Sequence, residues 1–282
     1  MQSKYKNWMG LVFLAPSLIG VGIFILLPFA DVVRRSILDA MGNQFVGLTN
    51  YSTVLSNEAF RLAVRNTVHF LVVCIPLLLL LSLLVALLIQ QIKGFQSFLK
   101  TTFLFPMAIP VASVVLLWRL FFDSDGFFNE ALAIFGLQGA NWMNSRHAFG
   151  VLVFTYLWKN TGYDMILWLA ALSDIPKERY EAASVDGAGK WQSFWYITRP
   201  ALRPAVFVIG ILSLVNCFKV FREAYLIAGN YPHESIYMLQ HLFNNWFVSL
   251  DIQKMTAASV LLAVTMLIIM SVVWHHNERS LE

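Results

Sequence analysis

The sequence predicts an all-α integral membrane protein with six transmembrane helices. Three observations lead to this fold class: 58% of the 282 residues are hydrophobic, only 13% are charged, and the mean hydropathy is +0.65. Soluble domains carry roughly 25% charged residues, so this chain lacks the polar surface of a soluble protein. No linker or low-complexity stretch divides it, and a single membrane domain over residues 1–282 is expected.

Six windows approach the ~20 apolar residues that a helix needs to cross a bilayer. They cover residues 11–30, 67–91, 101–118, 148–172, 204–221 and 255–274. The first window follows two lysines, as the apolar region of a signal peptide does. It is long for such a region, and residues 25–30 contain no small-residue cleavage site, so a retained span is expected. Pro106 and Pro110 interrupt the backbone hydrogen bonds of the third window, where simple helix kinks are expected.

The distribution of Lys and Arg orients these spans. If the N-terminus is cytoplasmic, the 57 residues at 1–10, 92–100, 174–203 and 275–282 hold 10 Lys or Arg. The 98 residues of the opposite loops hold only 8. The sequence therefore predicts that both termini and loop 173–203 lie in the cytoplasm. On the outer side, residues 47–51 predict a turn, and apolar spacing predicts surface helices over residues 57–66 and 235–248.

Loop 173–203 is a polar segment in an otherwise apolar chain. Pro176 fits the first turn of a helix over residues 177–185, and Gly187 is a helix-stop residue because glycine adopts positive φ without strain. Residues 189–196 predict a second short helix, which Pro200 ends. The loop therefore predicts two short helices joined at Gly187, a shape suited to a groove on a partner protein.

The same loop resembles the EAA loop of ATP-binding-cassette importers, in which the membrane subunit contacts its ATPase. That pattern is Glu-Ala-Ala, three residues, Gly, nine residues, Ile, one residue, Leu-Pro, and only Arg199 departs from it, at the Leu position. The resemblance implies the type I importer permease fold, with a cytoplasmic coupling-helix loop. The residues expected to make the ATPase contact are Glu181, Ala182, Ala183, Asp186, Gly187, Ala188 and Phe194.

Further motifs resemble the carbohydrate-uptake branch of that family. They are Leu-Ala-Pro-Ser at 14–17, Gly-Leu-Thr-Asn-Tyr at 47–51, Asn-Thr at 66–67, Trp-Lys-Asn-Thr-Gly at 158–162 and Leu-Ser-Asp-Ile-Pro at 172–176. The resemblance implies a prokaryotic cytoplasmic-membrane importer of sugars or oligosaccharides working by alternating access. Its implied partners are a second permease chain, two ATPase subunits and an external solute-binding protein. The chain itself is expected to bind no cofactor, since ATP and magnesium belong to the ATPase.

Polar residues on the fourth and fifth spans are the candidate solute pathway. Tyr156, Lys159, Asn160 and Tyr163 share one helical stripe, and Asn216, Lys219, Val220 and Glu223 share another. Aromatic faces and hydrogen-bonding groups are what a sugar requires, and ionisable groups within spans usually face a cavity. Helix–helix adhesion is the alternative role, with Lys219 and Glu223 neutralising each other and Asp164 neutralising Lys159 or a partner's charge. If Lys159 and Lys219 both faced one cavity, their two positive charges would favour an anionic sugar.

Other functional classes receive less support. No catalytic arrangement of Ser, His and Asp and no HExxH motif occurs, so neither an enzyme nor a metal site is expected. Cys74 and Cys217 both fall within spans, as apolar packing residues would. The remaining alternatives are a family member that imports another solute, such as a glycerol-phosphate, and an ion-driven secondary transporter that depends on Asp164.

Overall fold

The computed structural model describes the backbone of residues 2–42, 44–92 and 94–279. Side chains are described for residues 12–42, 44–92, 94–218, 220, 222–226, 229–272 and 275. Within these ranges every regular element is helical, and the one extended pairing is an isolated bridge between Leu38 and Phe45. The all-α fold class is therefore confirmed.

The chain forms two compact units, and the first contains residues 1–61 and 243–269. Helices α1 (Gln2–Val21) and α2 (Leu27–Ser36) are joined by a π-helical turn, and α3 (Thr49–Ser56) follows. Asn50 ties α3 to the end of α2, because its Nδ2 donates to the carbonyl oxygens of Ser36 and Leu38 at 2.9 Å each. None of the most apolar window of the first span is buried, so lipid or another protein must cover it.

The second unit contains residues 62–242 and 270–282. After α3 the helices follow along the chain as α4 (Glu58–Gln91), α5 (Gln96–Ala108), α6 (Val111–Phe122), α7 (Phe127–Ile134), α8 (Ala148–Ser173), α9 (Lys177–Val185), α10 (Lys190–Ser193), α11 (Arg199–Ala201), α12 (Arg203–Cys217), α13 (Phe221–Ala228), α14 (Leu239–Val248) and α15 (Ile252–Arg279). Helices α5 to α13 belong to the second unit, whereas α4, α14 and α15 have residues in both units. A π-helical turn at Phe194–Thr198 precedes α11, and 3₁₀ turns at Phe218–Val220 and Glu234–Ile236 flank α13.

Helix α8 is the central element of the second unit. Buried side chains occur around it from Ala148 to Leu172, and it contributes to two hydrophobic clusters, one near Tyr156 and one near Trp168. The indole Nε1 of Trp168 donates to Ser82 Oγ on α4 at 3.0 Å. At Gly162, α5 approaches so closely that a Cβ atom would overlap the carbonyl oxygen of Phe103. Only glycine permits this approach.

The third predicted span is broken, which corrects the expectation of simple kinks. Helix α5 ends at Ala108, α6 begins at Val111, and the segment Val111–Ile134, which contains α6 and α7, is bent by 90° from α5. Pro110 supplies no N–H and disfavours helical backbone at the preceding residue. Ile109 is accordingly extended, with φ −72° and ψ 128°.

The outer surface helices also differ from the prediction. Residues 58–66 are not a separate helix but the first turns of α4, which runs unbroken for 34 residues. The turn predicted over residues 47–51 is present but shorter, because it covers Gly47 and Leu48, and α3 begins at Thr49. The helix predicted over residues 235–248 begins at Leu239, after a 3₁₀ turn.

By length and composition, four described helices can cross a bilayer, or five if the bent pair α5 and α6 forms one span. They correspond to the first, second, fifth and sixth predicted windows, with the bent pair at the third. Helix α8, the fourth window, is not among them. Helix α8 contains the charged residues Lys159 and Asp164, both buried within the protein. Because α8 is not among the helices that meet the criterion of length and composition, the count of six spans stays a prediction.

Candidate functional site

The exposed loop between α8 and α12 contains both short helices that the sequence predicts. Helix α9 begins after Pro176, whose extended backbone (φ −57°, ψ 131°) separates it from α8. Pro176 therefore precedes the first turn instead of lying in it. Of the expected contact residues, Glu181, Ala182, Asp186 and Gly187 are exposed, whereas Ala183, Ala188 and Phe194 are half-buried.

The turn at Gly187 is set by the backbone. The N–H of Ala188 donates to Ala183 O at 2.8 Å, and the N–H of Gly187 donates to Ser184 O at 3.2 Å. This pair of bonds is a Schellman motif, which needs positive φ at the residue after the cap. Gly187 has φ +83°, and a Cβ atom there would meet no neighbour within 4 Å. Glycine is therefore required for conformation and not for space.

The second half of the loop presents aromatic residues to its surroundings. Helix α10 begins after Gly189, whose N–H donates to Gln192 Oε1 at 2.9 Å, and it widens into the π-helical turn. Trp191 and Tyr196 in this half are 72% and 81% exposed, and Val185 at the end of α9 is 88% exposed. Exposed apolar clusters of this kind mark protein interfaces.

Side-chain contacts hold the two short helices as one body. The hydroxyls of Tyr180 and Thr198 lie 2.8 Å apart, joining α9 to the π-helical turn. The guanidinium carbon of Arg199 lies 4.7 Å from the centre of the Trp195 ring, a cation–π contact. Arg199, which departs from the family pattern, thus stabilises the aromatic half of the loop.

A cavity of about 190 Å³ lies at two breaks in regular helix. The first is the 90° break between α5 and α6, and the second is the 3₁₀ turn between α12 and α13. Its lining residues are Met107, Val111, Tyr156, Lys159, Asn160, Asn216, Val220, Arg222 and Glu223. Irregular backbone at membrane depth is tolerated where protein buries it or where it borders a water-filled cavity.

Four of the six predicted pathway residues line this cavity: Tyr156, Lys159, Asn160 and Asn216. Tyr163 is half-buried and lies outside the lining. The backbone of Lys219 belongs to the 3₁₀ turn, but its side chain lies outside the described residues.

The ion pairing differs from the sequence expectation. Lys159 Nζ lies 3.0 Å from Glu223 Oε1, and the two side chains are only 10% and 12% exposed. Asp164 does not neutralise Lys159, because it is buried deeper and accepts a hydrogen bond from Ser213 Oγ at 2.7 Å. Glu223 is thus paired with Lys159 on α8, and the predicted pair of Lys219 with Glu223 involves a side chain outside the described residues.

Sequence reasoning missed Arg222, Met107 and Val111. The helical stripe was projected through residues 216–223 as one regular helix, but three residues wind at 3₁₀ pitch in between. Each 3₁₀ residue turns by about 120° instead of about 100°. The stripe therefore rotates by roughly 60° across this turn, and Arg222 reaches the cavity.

A second, aromatic cavity of about 520 Å³ lies beside the other face of α8. Of its α8 residues, Phe154 is rotated from Tyr156, Lys159 and Asn160 by roughly 140–240° on a helical wheel. No described residue lines both cavities. Arg146 is exposed at its edge. The second cavity is thus separate from the first.

Comparison with known proteins agrees with this arrangement. The family described as "Binding-protein-dependent transport system inner membrane component" matches residues 93–279. The trehalose/maltose transport system permease protein of Thermococcus litoralis is 33% identical, covering 94% of this chain and 92% of that protein. The sn-glycerol-3-phosphate transport system permease protein of Escherichia coli is 29% identical, covering 97% and 95%.

A further relative is the sulfoquinovosyl glycerol transport system permease protein of Agrobacterium fabrum. It is 29% identical, covering 92% of this chain and 89% of that protein. Among solved structures, a chain of a bacterial ABC transporter that imports the acidic polysaccharide alginate superposes with a TM-score of 0.86. It is 24% identical, and the match covers 99% of this chain and 98% of that one. The fold is therefore that of an ABC importer membrane subunit.

Proposed function

Because this chain belongs to the binding-protein-dependent transport system inner membrane components, we propose that it is one half of the solute pathway of an ATP-driven sugar importer. It is a multi-pass membrane permease subunit. We further propose which residues contact the ATPase, which residues bind the solute, which proteins are the partners and which class of solute is imported.

The observation that carries this proposal is the exposed two-helix loop. A rigid element with a Schellman turn and exposed Val185, Trp191 and Tyr196 has the form of a docking segment. Its Glu181–Ala188 half matches the sequence pattern through which related permeases contact their ATPase. We assign ATPase contact to Glu181, Ala182, Ala183, Asp186, Gly187, Ala188 and Phe194.

The cavity between the helix breaks is the proposed solute site. Tyr156 contributes a largely buried ring to the wall of the cavity, and Asn160 and Asn216 offer amides to sugar hydroxyls. Asn160 Nδ2 donates to the carbonyl oxygen of Tyr156 at 2.8 Å, which fixes the direction of the amide. Discontinuous helices are a recurring device of solute sites in transporters, because they expose backbone groups at membrane depth.

The partners follow from the same assignment. A second permease chain would complete the pathway, two ATPase subunits would bind ATP and magnesium, and an external binding protein would deliver the solute. The chain would then bind no cofactor itself and catalyse no reaction. The loop and both termini would lie in the cytoplasm, as the Lys and Arg distribution predicts.

The mechanism is alternating access. ATP binding closes the two ATPase subunits, and their grooves move the two-helix loops. Because Tyr180 and Thr198 join the two short helices, the loop would move as one body and pull on α8 and α12, which flank it in the chain. Those two helices also line the solute cavity. The motion would therefore open the cavity outward, and hydrolysis would return it.

The solute class rests on the relatives. The solutes in their names are trehalose/maltose, sulfoquinovosyl glycerol and sn-glycerol-3-phosphate. Each of these compounds is a sugar or a polyol derivative. Import of a glycerol-phosphate remains the second candidate for the same site. Family membership argues against an ion-driven secondary transporter.

The test is gentle extraction of the chain from its native membrane, followed by mass spectrometry and reconstitution. We expect a second permease chain, an ATPase and a binding protein to co-purify, and the reconstituted complex to take up a sugar only with ATP. A chain that repeatedly purified without an ATPase would contradict the coupling assignment. ATP-independent uptake driven by an ion gradient would contradict the whole proposal.

A further inference from the structure

The charges in the solute cavity do not cancel. Among the side chains that the structure describes, three charged ones line it: Lys159, Arg222 and Glu223. Lys159 and Glu223 form a 3.0 Å ion pair with little exposure and so neutralise each other. The remaining charge belongs to Arg222.

Arg222 has no acidic partner within the part of the chain that the structure describes. Its side chain is exposed and borders the cavity. The acidic residue of α8, Asp164, is 1% exposed, accepts a hydrogen bond from Ser213 and does not line the cavity. The described lining therefore carries one net positive charge, on the residue that solute can reach.

An uncompensated cation within a membrane protein has a cost, and such residues usually mark the path of a solute or ion. The guanidinium group is planar and presents several N–H donors in a fork that fits carboxylate, sulfonate and phosphate oxygens. A neutral sugar has no group that matches this charge.

We propose that Arg222 binds an anionic group on the transported sugar and so selects acidic sugars over neutral ones. This inference rests on the proposed function. The Lys159–Glu223 pair has the complementary role, because its two charges neutralise each other and leave Arg222 as the charged group of the described lining that can bind an anion. Selection for anions is thus assigned to Arg222, whereas Lys159, one of the two lysines that the sequence indicated, is neutralised by Glu223.

The experiment is ATP-driven uptake by the complete reconstituted importer, with its binding protein, over a panel of matched disaccharides. Each probe is a neutral disaccharide, such as cellobiose or galactobiose, paired with its uronic-acid counterpart, cellobiuronic acid or digalacturonic acid. The variants are Arg222→Gln and Arg222→Lys, and the control is Arg146→Gln, an exposed arginine at the separate aromatic cavity.

We expect the wild-type protein to prefer uronates, and Arg222→Gln to lower the ratio of uronate to neutral uptake by roughly tenfold or more, the value of a charge-assisted hydrogen bond. Arg222→Lys should keep part of the preference, and Arg146→Gln should keep all of it. Because Arg222 is exposed, Arg222→Gln should assemble normally, which the amount of complex recovered will show.

Three results would overturn the inference. An unchanged uronate preference in Arg222→Gln, or a loss of equal size in Arg146→Gln, would remove the role of Arg222. Equal wild-type uptake of both members of each pair would refute acid selection while leaving sugar import intact. Absence of ATP-driven uptake for every probe would refute the proposed function together with the inference.

Discussion

The exposed loop of residues 177–200 and the buried region around α8 are stabilised in different ways. The loop's turn is formed by hydrogen bonds between residues at most five apart, such as the bond from Ala188 to Ala183. The cavity is held by contacts between residues far apart in the chain, such as the ion pair of Lys159 with Glu223. Local bonds make a motif that can move as a unit, whereas long-range contacts make a site whose geometry depends on packing.

The largest effect should come from breaking the buried ion pair. Lys159→Met leaves the Glu223 carboxylate without its partner in a little-exposed site, and we expect the free energy of unfolding to fall by about 3–5 kcal/mol. Thermal unfolding of the detergent-solubilised complex measures this loss. The double variant Lys159→Met, Glu223→Met should recover most of it, because no charge is then left unpaired. A double variant as unstable as the single one would show that the pair is not the cause.

A smaller loss of stability should follow from Gly162→Ala. The added methyl group would overlap the backbone carbonyl of Phe103, so α5 and α8 must separate, at a cost of about 1–3 kcal/mol. Gly150→Ala, on the same helix with no neighbour within 4 Å of the added atom, is the matched control and should be stable. Equal stability of the two variants would contradict the close packing of α5 on α8.

In the loop, substitutions should affect the coupling of ATP hydrolysis to solute uptake more than they affect folding. Gly187→Pro fixes φ near −65°, which is incompatible with the observed +83°. We expect uptake to be lost while ATPase activity persists and the chain remains in the membrane. Gly187→Ala should cost about 1–2 kcal/mol locally, and Gly187→Asn should retain most uptake, since asparagine tolerates positive φ better. Normal uptake by the proline variant would exclude a coupling role for this turn.

The smallest effect is expected from Tyr180→Phe. This change removes the 2.8 Å hydrogen bond to Thr198, worth about 0.5–1.5 kcal/mol, and should loosen the two short helices. Uptake per ATP hydrolysed should decrease partially. Tyr231→Phe is the control, because Tyr231 is 80% exposed and lies outside the loop. If both variants couple normally, the hydroxyl contact is not what makes the loop rigid.

The difference between the two regions also explains which predictions succeeded. The helix over residues 177–185 and the turn at Gly187 follow from residues adjacent in sequence, and the structure contains both. The position of Arg222 depends on the 3₁₀ turn before it, and no residue type between 218 and 220 announces that turn. The break at Pro110 was predicted in part. The proline indicated that the helix would be interrupted there, but the angle of 90° depends on how the segments on either side pack.

The sequence by itself determined the membrane class, the all-α architecture and the two-helix loop, because composition and short-range backbone preferences decide these features. It also identified Tyr156, Lys159, Asn160 and Asn216, which share a cavity as their helical spacing indicated. The tertiary structure alone decided which charges neutralise each other. Lys159 and Glu223 are 64 residues apart, and their pairing depends on how α8 packs against α13. Within the described lining of the cavity, that packing leaves Arg222 as the charge without an acidic partner.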